Sequence, residues 1–283
     1  MKQVVHDLVA GVDGLASLPG ICGRVTALVD DPDSTLRELA QVISQDPGLS
    51  VKLLRLANSA FYGRMKDIET IEQALNVIGM QRVSDIVLGT SAMETFKGIP
   101  NDLVSMEDFW MHSIYCAIAS RMLAKRIHNP RAETIFVAGL LHDIGQLVLF
   151  HEKAETSRQV LLLTIEDISE PEMVEAEQQI FGYDHCQIGA VLAEQWSLPE
   201  LLSSAILHHH TPEKADRYEQ EVALVHIGNI LAGMAELDQI SADDVARIHP
   251  IAWELTGLSA EVIPEVMHET QEQFTEVRNL FLT

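Results

Sequence analysis

From Asp33 onward, apolar residues recur every three or four positions and almost nowhere alternate with the two-residue period of a strand. Thr35 and Glu38 form a capping-box pair, and Leu36, Leu39, Ala40 and Ile43 follow at helical spacing. Asp46-Pro47 ends that helix and starts another, whose Leu49, Leu53, Leu54 and Ala57 share one face. This second helix runs into Asn58-Ser59-Ala60-Phe61-Tyr62-Gly63, a predicted turn. A third helix starts at Thr70 with Gln73 and closes at Gly79, and a fourth begins near Gln81 with Val83, Ile86 and Val87 turned inward.

Lys97-Gly98-Ile99-Pro100-Asn101-Asp102 reads as a linker, because Gly and Pro break helix continuity there. Beyond it, helical patterns are predicted around 107–128, 131–151, 152–167, 171–181, 184–195, 198–208 and 219–235. Ser241 and Ser259 then act as caps for two or three further helices. The expected fold is all-α, organised as an N-terminal helical unit (1–98), a second helical unit (99–240) and a helical extension (241–283). The apolar stripe of that extension, from Leu255 to Phe281, is expected to complete the chain's own core rather than cover a second copy.

Composition narrows the setting. Hydrophobic residues make up 47% of the 283 and charged residues 22%, so the chain is expected to be folded throughout. Nineteen basic against 42 acidic residues give a formal charge of −23, which disfavours nucleic acid and anionic membrane as partners. A small anion could still bind where local cations or a metal reverse the field. The densest basic stretch, Arg121, Lys125, Arg126 and Arg131, reads as a solvated helix face. Three distant cysteines, Cys22, Cys116 and Cys186, point to a reducing compartment. No run of about 18 apolar residues occurs, and a cytoplasmic location is expected.

Twelve histidines supply the candidate chemistry. Leu140-Leu141-His142-Asp143-Ile144-Gly145 sets an imidazole and a carboxylate side by side at the end of an apolar helix, where both could reach one ion. His112 lies upstream on an apolar helix, and His185 and the triplet His208-His209-His210 lie downstream. A helix bundle recruits such ligands from facing helices. Each residue also has a plainer reading. His112 could be a core histidine bonded to a carbonyl, Asp143 could hold the His142 rotamer, and the triplet could be a surface cluster. His6, His128, His151, His226, His249 and His268 are isolated and read as structural or exposed.

Several motifs in order carry a resemblance. Asp46-Pro47-Gly48-Leu49, Leu53 to Gly63, Ile71-Glu72-Gln73-Ala74 and Ile78-Gly79-Met80 come first. Phe109-Trp110-Met111-His112-Ser113, Ala138 to Gly145, Phe181 to His185 and Trp196 to Pro199 follow. From about Leu18 to Pro212 the chain resembles the HDOD family, relatives of the HD and HD-GYP metal-dependent phosphohydrolases. The resemblance implies an all-α fold and a regulatory role in bacterial signal transduction. It also implies a ligand set at His112, His142, Asp143, His185, His209 and His210, for a divalent transition metal such as Fe, Mn, Zn or Ni, with Asp143 the candidate catalytic group.

The chain departs from the active relatives at three places. The late aspartate ligand falls at Asn229, the lysine after HD-x-G is Gln146, and no Gly-Tyr-Pro loop follows His210. A neutral amide is a weaker ligand than a carboxylate, and loss of the lysine removes a cation expected to contact phosphate. The favoured expectation is therefore a binding and interaction module, monomer or homodimer, whose partners are other signalling proteins. The rival is a metal-dependent phosphohydrolase acting on a nucleotide or cyclic dinucleotide. A third reading is a metal-free polar network in which the histidines only hold the core.

Overall fold

The computed structural model describes the chain except for residues 1, 13, 14, 16, 60–67, 98–102, 166–170, 238–241 and 283. Six helices form the N-terminal region: α1 (Lys2–Ala10), α2 (Gly20–Asp30), α3 (Leu36–Ile43), α4 (Pro47–Ala57), α5 (Ile71–Ile78) and α6 (Met80–Phe96). Both predicted capping boxes form, at Thr35/Glu38 and Thr70/Gln73. Asp46 caps α4 with Pro47 in its first turn, and Gly79, at φ 96°, turns α5 directly into α6. Asn58 ends α4 and clamps the returning chain, accepting from the Ile68 amide at 2.8 Å and donating to its carbonyl at 2.8 Å. Helices α1 and α2 precede the first helix signal read at Asp33. The Phe61-Tyr62-Gly63 turn, residues 98–102 of the linker and the Ser241 cap lie outside the described residues, as do the unit boundaries drawn at 98 and 240.

Eleven further α-helices follow: α7 (Met106–Arg126), α8 (Ala132–Leu141), α9 (Ile144–Glu152), α10 (Ala154–Ile165), α11 (Pro171–Phe181), α12 (His185–Gln195), α13 (Glu200–His208), α14 (Glu219–Glu236), α15 (Ala242–Ala246), α16 (Pro250–Thr256) and α17 (Ile263–Leu282). No strand occurs among the described residues. Helix α7 is the axis, with α8, α14 and α17 packed around it. One continuous apolar core runs from Val5 in α1 to Phe281 in α17. At the far end α1 packs on α12, and the Leu15 carbonyl accepts from the Trp196 indole at 2.9 Å.

Two differences from the sequence reading stand out. The single helix expected over 131–151 is two helices broken at His142-Asp143, because apolar periodicity continues on both sides and hides the turn. That span, Ala132–Glu152, is apolar enough to cross a membrane, but 83% of its most apolar stretch is buried inside the fold, as core helices are. Arg121 is not on a solvated face: it is 2% exposed and pairs with Glu133 at 2.9 Å. A charge on that stretch of α7 faces α8, so it needs a buried carboxylate partner. Arg126 and Arg131 do reach solvent, paired with Glu265 and Glu221. In α17, Val266, Val277 and Phe281 are buried and Phe274 packs against Tyr115 of α7, so the C-terminal stripe completes the core.

Candidate metal centre

Four helix ends and one helix face converge on a single carboxylate. Asp143 sits in the two-residue break between α8 and α9, His142 beside it, His185 opens α12, and His209 and His210 follow the end of α13. Asp143 Oδ2 lies 3.1 Å from His142 Nε2 and 3.9 Å from His112 Nε2. Its Oδ1 lies 3.3 Å from both His185 Nε2 and His209 Nε2. The His210 ring is 4.2 Å from that of His209 and 5.2 Å from that of His185. Close helix crossings make this convergence possible. A Cβ on Gly145 would fall 1.9 Å from the His185 carbonyl, and one on Gly228 would fall 2.1 Å from Ser120 Oγ. Only glycine lets α9 meet α12, and α14 meet α7, this closely.

The outer nitrogens of three histidines are already committed. His142 Nδ1 faces the Gly139 carbonyl at 2.7 Å, His209 Nδ1 the Ile206 carbonyl at 2.9 Å, and His185 Nδ1 the Glu177 carboxylate at 2.7 Å. A carbonyl or carboxylate can only accept, so each Nδ1 carries the proton and each Nε2 turns inward toward Asp143. His142, His185 and His209 are fully buried, and no hydrogen bond of acceptable geometry reaches His142 Nε2, His209 Nε2 or Asp143 Oδ1. Inward lone pairs ringed around a carboxylate oxygen repel one another unless positive charge lies between them. The donor set therefore fits a divalent ion, and imidazole with carboxylate suits Zn, Fe, Mn or Ni.

Electrostatics express the same demand. Burial lowers the affinity of His142 for a proton, yet the Asp143 charge outweighs it and holds the imidazole well above its ordinary range. Burial likewise disfavours charge on Asp143, but His142 and the surrounding imidazoles hold it well below the usual carboxylate range. Burial is also opposed at His185, which Cys186 and Glu177 push up. At His209 burial prevails and the value falls to about 4, and His210 is lowered as well. Without a metal, protons on His142 and His185 neutralise Asp143. A metal ion would displace them.

The His112 side is built differently. Burial lowers the His112 value, but the hydrogen bond and charge of Glu236 outweigh it and raise it to about 9. The ring is thus an imidazolium at neutral pH, donating from Nδ1 to Glu236 at 2.8 Å and from Nε2 to Asn229 Oδ1 at 2.9 Å. In this arrangement both ring nitrogens of His112 and the Asn229 amide oxygen are engaged with protein, although His112, His142 and Asp143 still bring one ligand atom each within 4.8 Å of one another, a second grouping able to hold an ion.

The predicted site residues are therefore all gathered in one place, except His208, which lies outside the cluster on a neighbouring cavity wall. Sequence reasoning missed Glu177, Glu236 and Cys186. The Cys186 thiol is 3.5 Å from His185 Nε2, a proximity that the adjacent His185-Cys186 pair at a helix start already hinted at. It also treated His226 as isolated. Buried in α14, His226 bonds the His209 carbonyl at 2.7 Å and accepts from the His249 amide at 3.0 Å, fixing the chain that carries His209. A cavity of about 400 Å³ opens beside the cluster, lined by Cys186, His208, His210, Lys214 and Arg247.

A family model for the HDOD domain matches residues 15–212. The chain belongs to the HDOD domain family. Among solved structures this HDOD chain is similar to an HDOD domain protein of unknown function from Geobacter sulfurreducens, with 26% identity over all of this chain and 98% of that one, at TM-score 0.79. It is also similar to a candidate phosphohydrolase from Shewanella amazonensis SB2B, 26% identical over 97% of each chain, at TM-score 0.75. A candidate signal transduction protein from Marinobacter aquaeolei VT8 shares the fold at 22% identity and TM-score 0.71, over 94% of this chain and 59% of that one. An uncharacterised protein of Treponema pallidum (strain Nichols) is 24% identical over 221 residues, which are 77% of this chain and 42% of that protein. The HDOD chain thus spans less than half the length of that curated relative. The HDOD match holds His112, His142, Asp143, His185, His209 and His210, whereas Asn229 and Glu236 lie beyond its end.

Proposed function

We propose that this HDOD chain is a regulatory module of bacterial signal transduction, working in the cytoplasm through contacts with other signalling proteins, in which the cluster around Asp143 holds one divalent transition metal without hydrolysing a substrate. The observation that carries the reading is the capture of His112 by Asn229 and Glu236, which takes one side of Asp143 out of service. His142, Asp143, His185 and His209 would hold the ion, with His210 at its accessible edge. When bound, the ion supplies fixed positive charge at the centre of the core and locks α9, α12 and α13 together. The chain's own residues position the imidazoles through Glu177 and two carbonyls and exclude water through full burial. The half-buried Gln146 offers no cation for a phosphate.

A phosphohydrolase reading keeps one specific support: Lys214 and Arg247 line the cavity next to His210, beside Glu175 and Asp184, and give an anionic ligand such as a nucleotide two cations to meet in a strongly acidic chain. Arg247 also pairs with Asp244 at 3.5 Å. Metal content by plasma mass spectrometry, paired with turnover of cyclic dinucleotides in added Mn²⁺ or Fe²⁺, separates the two. The regulatory reading expects bound metal, lost in the His142→Ala/Asp143→Ala double variant, and no turnover. Reproducible hydrolysis that the double variant abolishes would overturn it, and absence of metal from every preparation would leave the metal-free network instead.

A further inference from the structure

Resting on the reading that the cluster holds a metal, but with Cys186 and His210 taking the places there given to His142 and Asp143, we propose that Cys186 is itself a ligand, so that His185, Cys186, His209 and His210 close a thiolate-containing zinc site with no position left for a substrate. One ligand atom from each of these four residues lies within 4.8 Å of every other. Tetrahedral zinc, with bonds of about 2.0–2.3 Å, needs ligand atoms roughly 3.5 Å apart. Cys186 Sγ and His185 Nε2 already stand at 3.5 Å, so closure asks only for small side-chain adjustments at His209 and His210.

Two independent features point the same way. His209 is fully buried, and its Nε2 faces the cluster with no aligned hydrogen bond. Charge also favours an ion here: the buried Asp143 carboxylate, whose Oδ1 is 3.3 Å from both His185 and His209, and the buried Glu177 carboxylate behind His185 set negative charge around the position that Zn²⁺ would fill. On binding, the Cys186 S–H bond breaks, the proton leaves to solvent, and sulfur donates its electron pair to zinc. Thiolate sulfur favours Zn²⁺ over the harder Mn²⁺, and four protein ligands define a structural site rather than one that keeps an open position for chemistry. The first turn of α12, where Cys186 sits, places the positive end of the helix dipole beside its sulfur, while burial pushes the thiol up, so that the bound ion has to draw the proton off.

Zinc X-ray absorption on the unmodified 283-residue chain reconstituted with Zn²⁺ alone decides the matter without a variant. One sulfur at about 2.3 Å together with nitrogen at about 2.0–2.1 Å is the expected result. A zinc signal with nitrogen and oxygen neighbours only overturns the thiolate ligand and leaves the metal reading intact. Failure of the protein to bind zinc, or Co²⁺ in its place, overturns both. As a second measurement, Co²⁺ loading should give a sulfur-to-cobalt charge-transfer band that is lost in Cys186→Ser and kept in Cys116→Ser. Persistence of the band in Cys186→Ser overturns the proposal.

Discussion

The two sides of Asp143 use the same residue types and arrive at opposite states. On one side, His112 is satisfied by protein: Asn229 and Glu236 take both ring protons, and a charged histidine stands where a ligand would. On the other, His185 and His209 have their outer nitrogens tied down and their inner ones 3.3 Å from one carboxylate oxygen, where His209 Nε2 has no aligned partner and His185 Nε2 meets the Cys186 thiol at 3.5 Å. A carboxylate holds the outer nitrogen of both His112 and His185, so what separates the two sides is the partner on the inner nitrogen. The Asn229 amide oxygen fills that position at His112, whereas at His185 and His209 the inner nitrogens face the shared Asp143 carboxylate.

The contrast can be broken most severely at the helix contact that carries the ligand side. Gly145→Ala puts a methyl group into the His185 carbonyl and should cost about 3 kcal/mol or more, since backbone must move. For a chain of this size that is a drop of roughly 6–12 °C in melting temperature, with metal binding lost, readable by calorimetry and metal analysis. Glu177→Gln leaves the fold but removes the charge behind His185, and metal affinity measured by competition with a chelator should fall about 10–100-fold. Asn229→Asp tests the protein-filled side: a carboxylate there should draw His112 Nε2 back into ligation and let the protein take up a second equivalent of Mn²⁺ in titration calorimetry. Unchanged stoichiometry would mean that Glu236 alone keeps His112 out of service.

The smallest effect is a pH dependence. In metal-free protein, the value of about 9 at His112 lies above the 6.5 of an ordinary histidine, so its contribution to stability is fully present below about pH 6.5 and fades as pH rises through about 9. Glu236→Gln should remove that slope from urea midpoints measured across the window. If wild type shows no such slope, the imidazolium assignment on this side of Asp143 is wrong.

Much of the fold was legible because it rests on local chemistry. The capping boxes at Thr35 and Thr70, the Asp46-Pro47 junction and the Gly79 turn each depend on residues within four positions of one another. The ligand candidates implied by the motif resemblance belong to one cluster, and His208, read only as part of the histidine triplet, lies outside it. The break at His142-Asp143 was legible only in part: the doublet reads as a helix end, yet apolar spacing continues across it and suggests one helix over 131–151. The burial of Arg121, whose partner Glu133 lies on the neighbouring helix, was not legible.

The helices and their caps follow from spacing and short-range hydrogen bonding, which the sequence carries on its own, and the list of candidate histidines came from the family resemblance rather than from any pattern that brings them together. Only the tertiary structure decided which histidines are ligand-like. That depends on Glu177 reaching His185 from α11, on Glu236 and Asn229 reaching His112 from α14, and on glycine at two helix crossings. A side chain's protonation and its free lone pair are properties of its neighbours in space, which the order of residues along the chain does not record.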